Sequence, residues 1–301
     1  MTAAPHRPPD RRTDPVGLIA GWGRFPVQVA ETLLRQGRPV QCVAIVGHAD
    51  KTLNTLCDHV LWSGVGRMSG HMRFFRRHAV REVTMAGKLF KSDLLYQRSV
   101  LLQHRPDWKC LRTFAPLLWG RSRDTRDDSL LMAVTKTYQR SGMDVIAATD
   151  LAPELLIPAG PLWGRPADAK TMHDITAGWR VAKQMGGMDI GQSITIKDGT
   201  VIAVEAIEGT DACIERTGQL CRKGGWVLVK VSKPNQDMRF DVPTIGPNTV
   251  QNVAKAGGRA IAIEAGKTIV VDREATIAAA KQAKIGLIAY DQRDLLAQSA
   301  A

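Results

Sequence analysis

The order strand, tight turn, helix, strand between residues 16 and 46 constrains this chain most. Val16–Ala20 (VGLIA) is a short β-rich run, Gly21-Trp22-Gly23 supply a tight turn, and residues 25–36 read as a helix with Pro26 in its first turn and Gly37 just past its end. A second β-rich run at 40–46 follows at once, so the unit opens a parallel sheet. A basic helix at 67–78 (RMSGHMRFFRRH) and a strand at 80–87 continue it and deliver Lys88 beyond the strand's carboxyl end, where open α/β sheets hold their ligands. Gly21 and Gly23 look like the start of a dinucleotide fingerprint. Yet Pro26 stands at the third glycine position, and the second strand ends in Val46-Gly47-His48 without an acid for a ribose. This disfavours a nicotinamide-linked oxidoreductase. The backbone N–H groups from Gly21 to Arg24 either meet part of a nucleotide or only turn the chain from sheet to helix.

Residues 89–126 read as irregular and basic, with Leu, Phe and Trp interleaved, a mixture that suits a core cap, a cover for acyl chains or a membrane contact. Asp127-Asp128-Ser129 then begin a helix, with Asp128 as its N-cap. Pro153, Pro158, Pro161 and Pro166 with Gly160 and Gly164 mark residues 151–167 as a linker. Beyond it come a helix at 170–185, a hairpin turning at Lys197-Asp198-Gly199, a helical stretch at 212–222 and a buried strand at 226–231. Strands at 260–265, 268–272 and 285–290 with a helix at 274–283 complete the pattern. The fold class is therefore α/β in two domains. An N-terminal Rossmann-like parallel-sheet domain spans 16–150, a C-terminal mixed α/β domain spans 168–301, and residues 1–15 form a disordered arm.

The 301 residues, 44% hydrophobic, suffice for two cores. No apolar run is long enough to span a membrane, and the Pro- and Arg-rich start lacks the apolar stretch of a signal peptide, so a cytosolic protein is expected. Five cysteines (Cys42, Cys57, Cys110, Cys213, Cys221) without a C-x-x-C pair argue against a disulfide framework or a zinc knuckle. Of the net charge of +12, residues 67–126 carry 14 Lys and Arg against 4 Asp and Glu, a net +10. A basic face of that kind suits an anionic ligand, an anionic lipid surface or nucleic acid, and also a solvated surface. No zinc, helix-turn-helix or aromatic RNA-binding signature accompanies it, so a nucleic-acid-binding protein using its basic N-terminal half is the alternative class, and no nucleic-acid partner is expected.

The richest chemistry sits in residues 230–248, KVSKPNQDMRFDVPTIGPN, between the strand at 226–231 and a helix opened by Gly246-Pro247. Asp237 and Asp241 alternate there with Lys233, Arg239 and the amide Gln236. Carboxylates can hold a divalent cation, and cations with free helix N–H groups can hold phosphate. The same residue types also make a solvated loop with surface ion pairs. Asp211 is a further acid at a strand-to-helix junction, an N-cap by position alone.

Several of these stretches resemble the LpxI family, UDP-2,3-diacylglucosamine pyrophosphatases of lipid A biosynthesis. They are EAIEGTD at 205–211, KPNQDMRFDVPTIGPNTV at 233–250 and EAGKTIVVDRE at 264–274, with GLIAGWGRFP at 17–26, MAGK at 85–88, Asp127-Asp128 and DIGQS at 189–193. The resemblance implies two domains with the substrate between them, and hydrolysis of UDP-2,3-diacylglucosamine to UMP and 2,3-diacylglucosamine 1-phosphate (lipid X) with Mg²⁺, or Mn²⁺ in its place. Asp241 aligns with an aspartate essential for turnover; Arg126 departs from the family, where glycine is expected before the two aspartates. On this basis Asp241, Asp211, Lys233 and Arg239 are the expected catalytic residues and Asp241, Asp211 and Asp237 the expected metal ligands. Gly21, Gly23, Lys88, Gln236, Thr244 and Gly246 are the expected substrate contacts. The lipidic substrate further implies an anionic inner-membrane surface as a peripheral partner of a cytoplasmic enzyme, while the oligomeric state, a homo-oligomer included, stays open.

Overall fold

The computed structural model describes residues 13–88, 104–119, 127–164 and 167–297. The chain divides into two compact units, residues 1–153 with Met238–Phe240, and residues 154–237 with 241–301.

In the first unit β1 (Val16–Ala20), α1 (Phe25–Arg35), β2 (Val40–Ile45), α2 (Leu53–Leu56), β3 (His59–Ser63), α3 (Met68–Arg77) and β4 (Glu82–Ala86) alternate. Then come α4 (Trp108–Trp119), α5 (Asp127–Gln139), β5 (Asp144–Val145) and α6 (Ala148–Leu151). The strands form one sheet in the order β3-β2-β1-β4-β5, parallel throughout, which is the order of a Rossmann-like half and agrees with the expected fold class. Strands buried on both faces need continuous apolar runs, and β2 is buried along its whole length. Val43, Ile45 and Val83 pack against Met68, Met72 and Phe75 of α3 and Tyr138 of α5.

The strand order reverses at β1, so the turns after β1 and β4 meet there. The Gly21 N–H donates to Ala86 O at 2.8 Å, and Trp22 and Lys88 exchange backbone hydrogen bonds at 2.8 and 2.9 Å. A Cβ on Gly21 would stand 2.7 Å from the Lys88 carbonyl oxygen, so only glycine lets these two backbones approach so closely.

Residues 104–119 depart from the irregular segment expected at 89–126, because 108–119 is helical. Asp107 supplies the start signal: its carboxylate accepts the Cys110 N–H at 2.9 Å and the Ser69 N–H at 2.6 Å. Burial pushes the Asp107 carboxyl up, but these amides outweigh it and hold the group below its ordinary range. Buried Cys110 and inward Phe114 give the helix its core face, a period that the interleaved cations and Pro116 obscure in the sequence.

The second unit contains β6 (Gly160–Trp163), α7 (Ala169–Gly187), β7 (Ser193–Lys197), β8 (Thr200–Val204), α8 (Thr210–Leu220) and β9 (Trp226–Lys230). It continues with β10 (Thr244–Ile245), α9 (Pro247–Lys255), β11 (Gly258–Glu264), β12 (Ile269–Val270), α10 (Arg273–Ala283), β13 (Gly286–Tyr290) and α11 (Gln292–Ala297). Its main sheet runs β6-β13-β11-β9-β7-β8; the central β13, β11 and β9 are parallel, and β6 and β7 are antiparallel to their neighbours. The sheet is mixed, as expected for this half. Period-two alternation along β9 sends Trp226 and Leu228 to a core with Ile214, Val250, Val253 and Ala280, and Val227 and Val229 to one with Ile175, Trp179 and Ala182 of α7. Helices thus cover both faces. The stretch expected as a linker contributes β6, an edge strand on β13, whose Pro161 is tolerated because an edge position spares it one row of partners.

Candidate active site

β9 is a central parallel strand, and its carboxyl end releases the chain into residues 231–243, the polar loop singled out in the sequence. That is the edge at which open α/β sheets bind ligands. The loop is anchored at its root. Ser232 donates its N–H to Glu264 Oε2 at 2.7 Å, and Lys183 Nζ donates to both Glu264 oxygens at 2.8 and 2.7 Å and to Ser232 O at 2.9 Å. Glu264 ends β11 and is buried, so this is an ion pair largely removed from water in which the ammonium makes three donor bonds.

From that root the bonds run outward to the expected catalytic residue. The Lys233 N–H donates to Gln236 Oε1 at 2.7 Å, and Gln236 Nε2 donates to Asp241 O at 2.6 Å, so the Gln236 side chain spans the loop and fixes where Asp241 leaves it. The Asp241 carboxylate is 45% exposed and stands 3.9 Å from Lys233 Nζ, which donates to Asp189 Oδ1 at 2.6 Å. Lys233, Gln236 and Asp241 are thus brought together, with Asp189 as a fourth member. Thr244 begins β10, its hydroxyl donating to Val242 O at 2.9 Å, and Gly246 is the N-cap of α9 with no side-chain cap, leaving the first N–H groups of that helix available for an anion. Asp237 sits in the turn before Asp241, its carbonyl accepting the Asp241 N–H at 3.1 Å.

The other expected residues lie in different settings. Asp211 is exposed in the first turn of α8, where Asn252 Nδ2 of α9 donates to its Oδ1 at 3.0 Å. Arg239 belongs to the tripeptide grouped with the first unit; its guanidinium lies 5.1 Å from the Phe240 ring centroid, and Phe240 packs on that unit's core. Gly21, Gly23 and Lys88 are at the β1 and β4 turns of the first unit, with the Gly21 and Trp22 amides already used within the fold and the Lys88 side chain exposed. Asp127 and Asp128 begin α5, and their side chains lie outside the described residues.

Sequence reasoning missed the support of the site. Lys183 is an unmarked cation inside α7, and Glu264 carries no signal beyond opening the stretch EAGKTIVVDRE. A second buried set was missed as well: Lys230 Nζ donates to Thr210 Oγ at 2.9 Å, and that hydroxyl donates to Glu205 Oε1 at 2.7 Å. It ties the end of β9 to the first turn of α8, which gives the EAIEGTD stretch a structural reason.

Fold and loop together define a class: a two-domain α/β protein with an exposed carboxylate and a lysine on a braced loop at the carboxyl edge of a parallel strand. Comparison with known proteins narrows it. Residues 15–155 match the model of the LpxI N-terminal domain and residues 158–288 that of the LpxI C-terminal domain. The chain belongs to the LpxI family. It is 33% identical over 287 residues to a Caulobacter vibrioides protein named UDP-2,3-diacylglucosamine pyrophosphatase LpxI, covering 93% of this chain and 98% of that one. Among solved structures it is 12% identical to a Thermus thermophilus UDP-glucose 4-epimerase in complex with NAD, at a TM-score of 0.30 and a coverage of 95% of this chain and 93% of that one. A Stenotrophomonas maltophila UDP-glucose-4-epimerase with bound NAD and formylated UDP-arabinopyranose is likewise 12% identical at a TM-score of 0.31, over 96% of this chain and 100% of that one. Scores so low carry no conclusion.

Proposed function

We propose that this chain hydrolyses the diphosphate of UDP-2,3-diacylglucosamine to UMP and 2,3-diacylglucosamine 1-phosphate, a step of lipid A biosynthesis. Family membership across nearly the whole chain and the name of the Caulobacter relative support the substrate. The observation that carries the chemistry is the braced loop, which presents the Asp241 carboxylate and the Lys233 ammonium at one strand end. Water adds to one phosphorus of the diphosphate, the bridging P–O bond breaks, and each product leaves with one phosphate. Asp241 accepts the proton of the attacking water or holds a metal beside it, while Lys233 and Arg239 offset the charge that develops on the departing phosphate.

Mg²⁺, with Mn²⁺ as a substitute, fits this donor set. Among the described residues no three His, Cys, Asp or Glu side chains gather to hold a metal. Zinc calls for such a closed protein set, whereas Mg²⁺ is commonly held by one or two carboxylates with substrate phosphates and waters completing its shell. Asp241 would be the principal ligand, with Asp237, in the turn just before it, as a second; Asp211, expected as a further ligand, instead stands on α8 with its carboxylate bonded to Asn252. Bound there, the ion would supply charge neutralisation of the diphosphate and a more acidic water.

The test is direct. Incubating the purified protein with UDP-2,3-diacylglucosamine and Mg²⁺ should release UMP and lipid X; EDTA should abolish the release, and excess Mg²⁺ should restore it. Full turnover after exhaustive dialysis against EDTA would refute the metal requirement, and absence of UMP under all conditions would refute the substrate. Among the described residues no helix is long and apolar enough to cross a membrane. A substrate with two acyl chains nevertheless resides in a bilayer, so the enzyme is proposed to work from the cytoplasm at an anionic inner-membrane surface.

A further inference from the structure

Resting on that reading of the substrate, we propose that the groove between α4 and α5 of the first unit is the face that docks on an anionic lipid bilayer. The groove has a volume of about 900 Å³, and its described lining carries Lys109, Arg112, Lys136 and Arg140 with no acidic side chain. The basic stretch of the sequence ends at residue 126, so half of these cations come from beyond it and are collected only by the fold. A nearby acid, Asp107, has its carboxylate occupied by the Cys110 amide in the first turn of α4 and the Ser69 amide in the first turn of α3. The two helices are joined at the base of the groove by Thr113 and Thr137, whose hydroxyls are 3.1 Å apart, and by Lys109 Nζ donating to Ser141 Oγ at 3.0 Å.

The outward face of α4 fits the same partner. Trp108 is 78% exposed and Leu111 38% exposed, and Arg112 and Pro116 complete an open stripe at i, i+3, i+4 and i+8, opposite buried Cys110. An apolar stripe with an indole at one end and cations along its flank suits the boundary between head groups and acyl chains, where the ring inserts and the long basic side chains reach lipid phosphates. Nucleic acid would satisfy the cations but leave Leu111 and Pro116 with nothing to cover them, since stacking on bases requires a ring or guanidinium face. Each cation near an anionic leaflet adds attraction, and the total weakens with salt.

Flotation with vesicles of phosphatidylglycerol and phosphatidylethanolamine tests the proposal. The wild-type chain should float at low salt, sediment in about 0.5 M salt, and ignore pure phosphatidylcholine vesicles. The variant Lys109→Gln, Arg112→Gln, Lys136→Gln, Arg140→Gln should bind roughly 100-fold more weakly. A charge-matched control, Lys51→Gln, Arg222→Gln, Lys223→Gln, Lys267→Gln, should bind like the wild type. Trp108→Phe should remove most of the blue shift in tryptophan emission on vesicle addition. Thermal midpoints confirm that the variants are folded. Equal losses in the two quadruple variants would make the effect one of bulk charge and overturn the proposal, as would tight binding to duplex DNA at a salt concentration that releases vesicles. Turnover of detergent-dispersed substrate separates this from the catalytic reading. Full turnover by the groove variant with lost flotation supports the docking face, intact flotation by that variant rejects it, and absence of turnover in the wild type rejects the catalytic reading instead.

Discussion

Replacing Asp241 by alanine is expected to lower kcat by at least about 100-fold while substrate affinity changes little, because a group that acts on the water or the metal contributes mainly in the transition state. The ground-state contacts should survive. Lys233 keeps Asp189 as its closer partner, at 2.6 Å against 3.9 Å to Asp241, so losing the carboxylate leaves no orphaned cation. Gln236 bonds to the Asp241 backbone rather than its side chain, so the loop keeps its brace. The variant should therefore fold, with a stability change of about 0 to 1 kcal/mol, the range of an exposed ion pair. Measuring kcat, substrate affinity and thermal midpoint together checks this. Near-normal kcat in a stable variant would move the centre of the site away from Asp241.

Glu264→Ala is expected to have the largest effect on stability, roughly 3 to 5 kcal/mol, since it leaves the mostly buried Lys183 ammonium and the Ser232 amide without their acceptor. For a domain of this size that corresponds to a fall of about 6 to 20 °C in the thermal midpoint. Turnover should fall too, because the Ser232 amide anchors the root of the loop that carries Lys233 and Asp241. A double replacement, Lys183→Met with Glu264→Met, separates the two effects. It removes both charges and should recover most of the stability, as buried pairs replaced by apolar groups commonly do, yet kcat should stay low because nothing then accepts from Ser232. If turnover returns with stability, the pair is structural only.

The fold was legible where local chemistry dictates it. Pro26 and Gly37 bracket α1, Asp198-Gly199 turn the β7–β8 hairpin, and Gly246-Pro247 open α9, each a signal carried by one or two residues. The polar loop could be read because six ionisable or amide side chains between an apolar strand and a Pro-started helix have no use in a core. Its support could not be read. Lys183 and Glu264 are separated by 81 positions and meet only because α7 packs on the sheet that contains β11. The helix at 108–119 was hidden for a different reason: one face of it packs inward while the other carries Trp108, Leu111 and Arg112, so no clean polar-apolar period exists to find.

The edge strand β6 bears on how this sheet stays confined to one molecule. Without it, β13 would present an open row of N–H and C=O groups along a parallel, apolar strand, a template on which another chain can polymerise. β6 covers that row antiparallel to β13, and Pro161 within it has no N–H to offer a further strand. A fragment cut after residue 167, as a linker ending there would invite, loses this guard while keeping every residue of the polar loop. It therefore carries a liability to aggregate that a fragment starting before Gly160 does not.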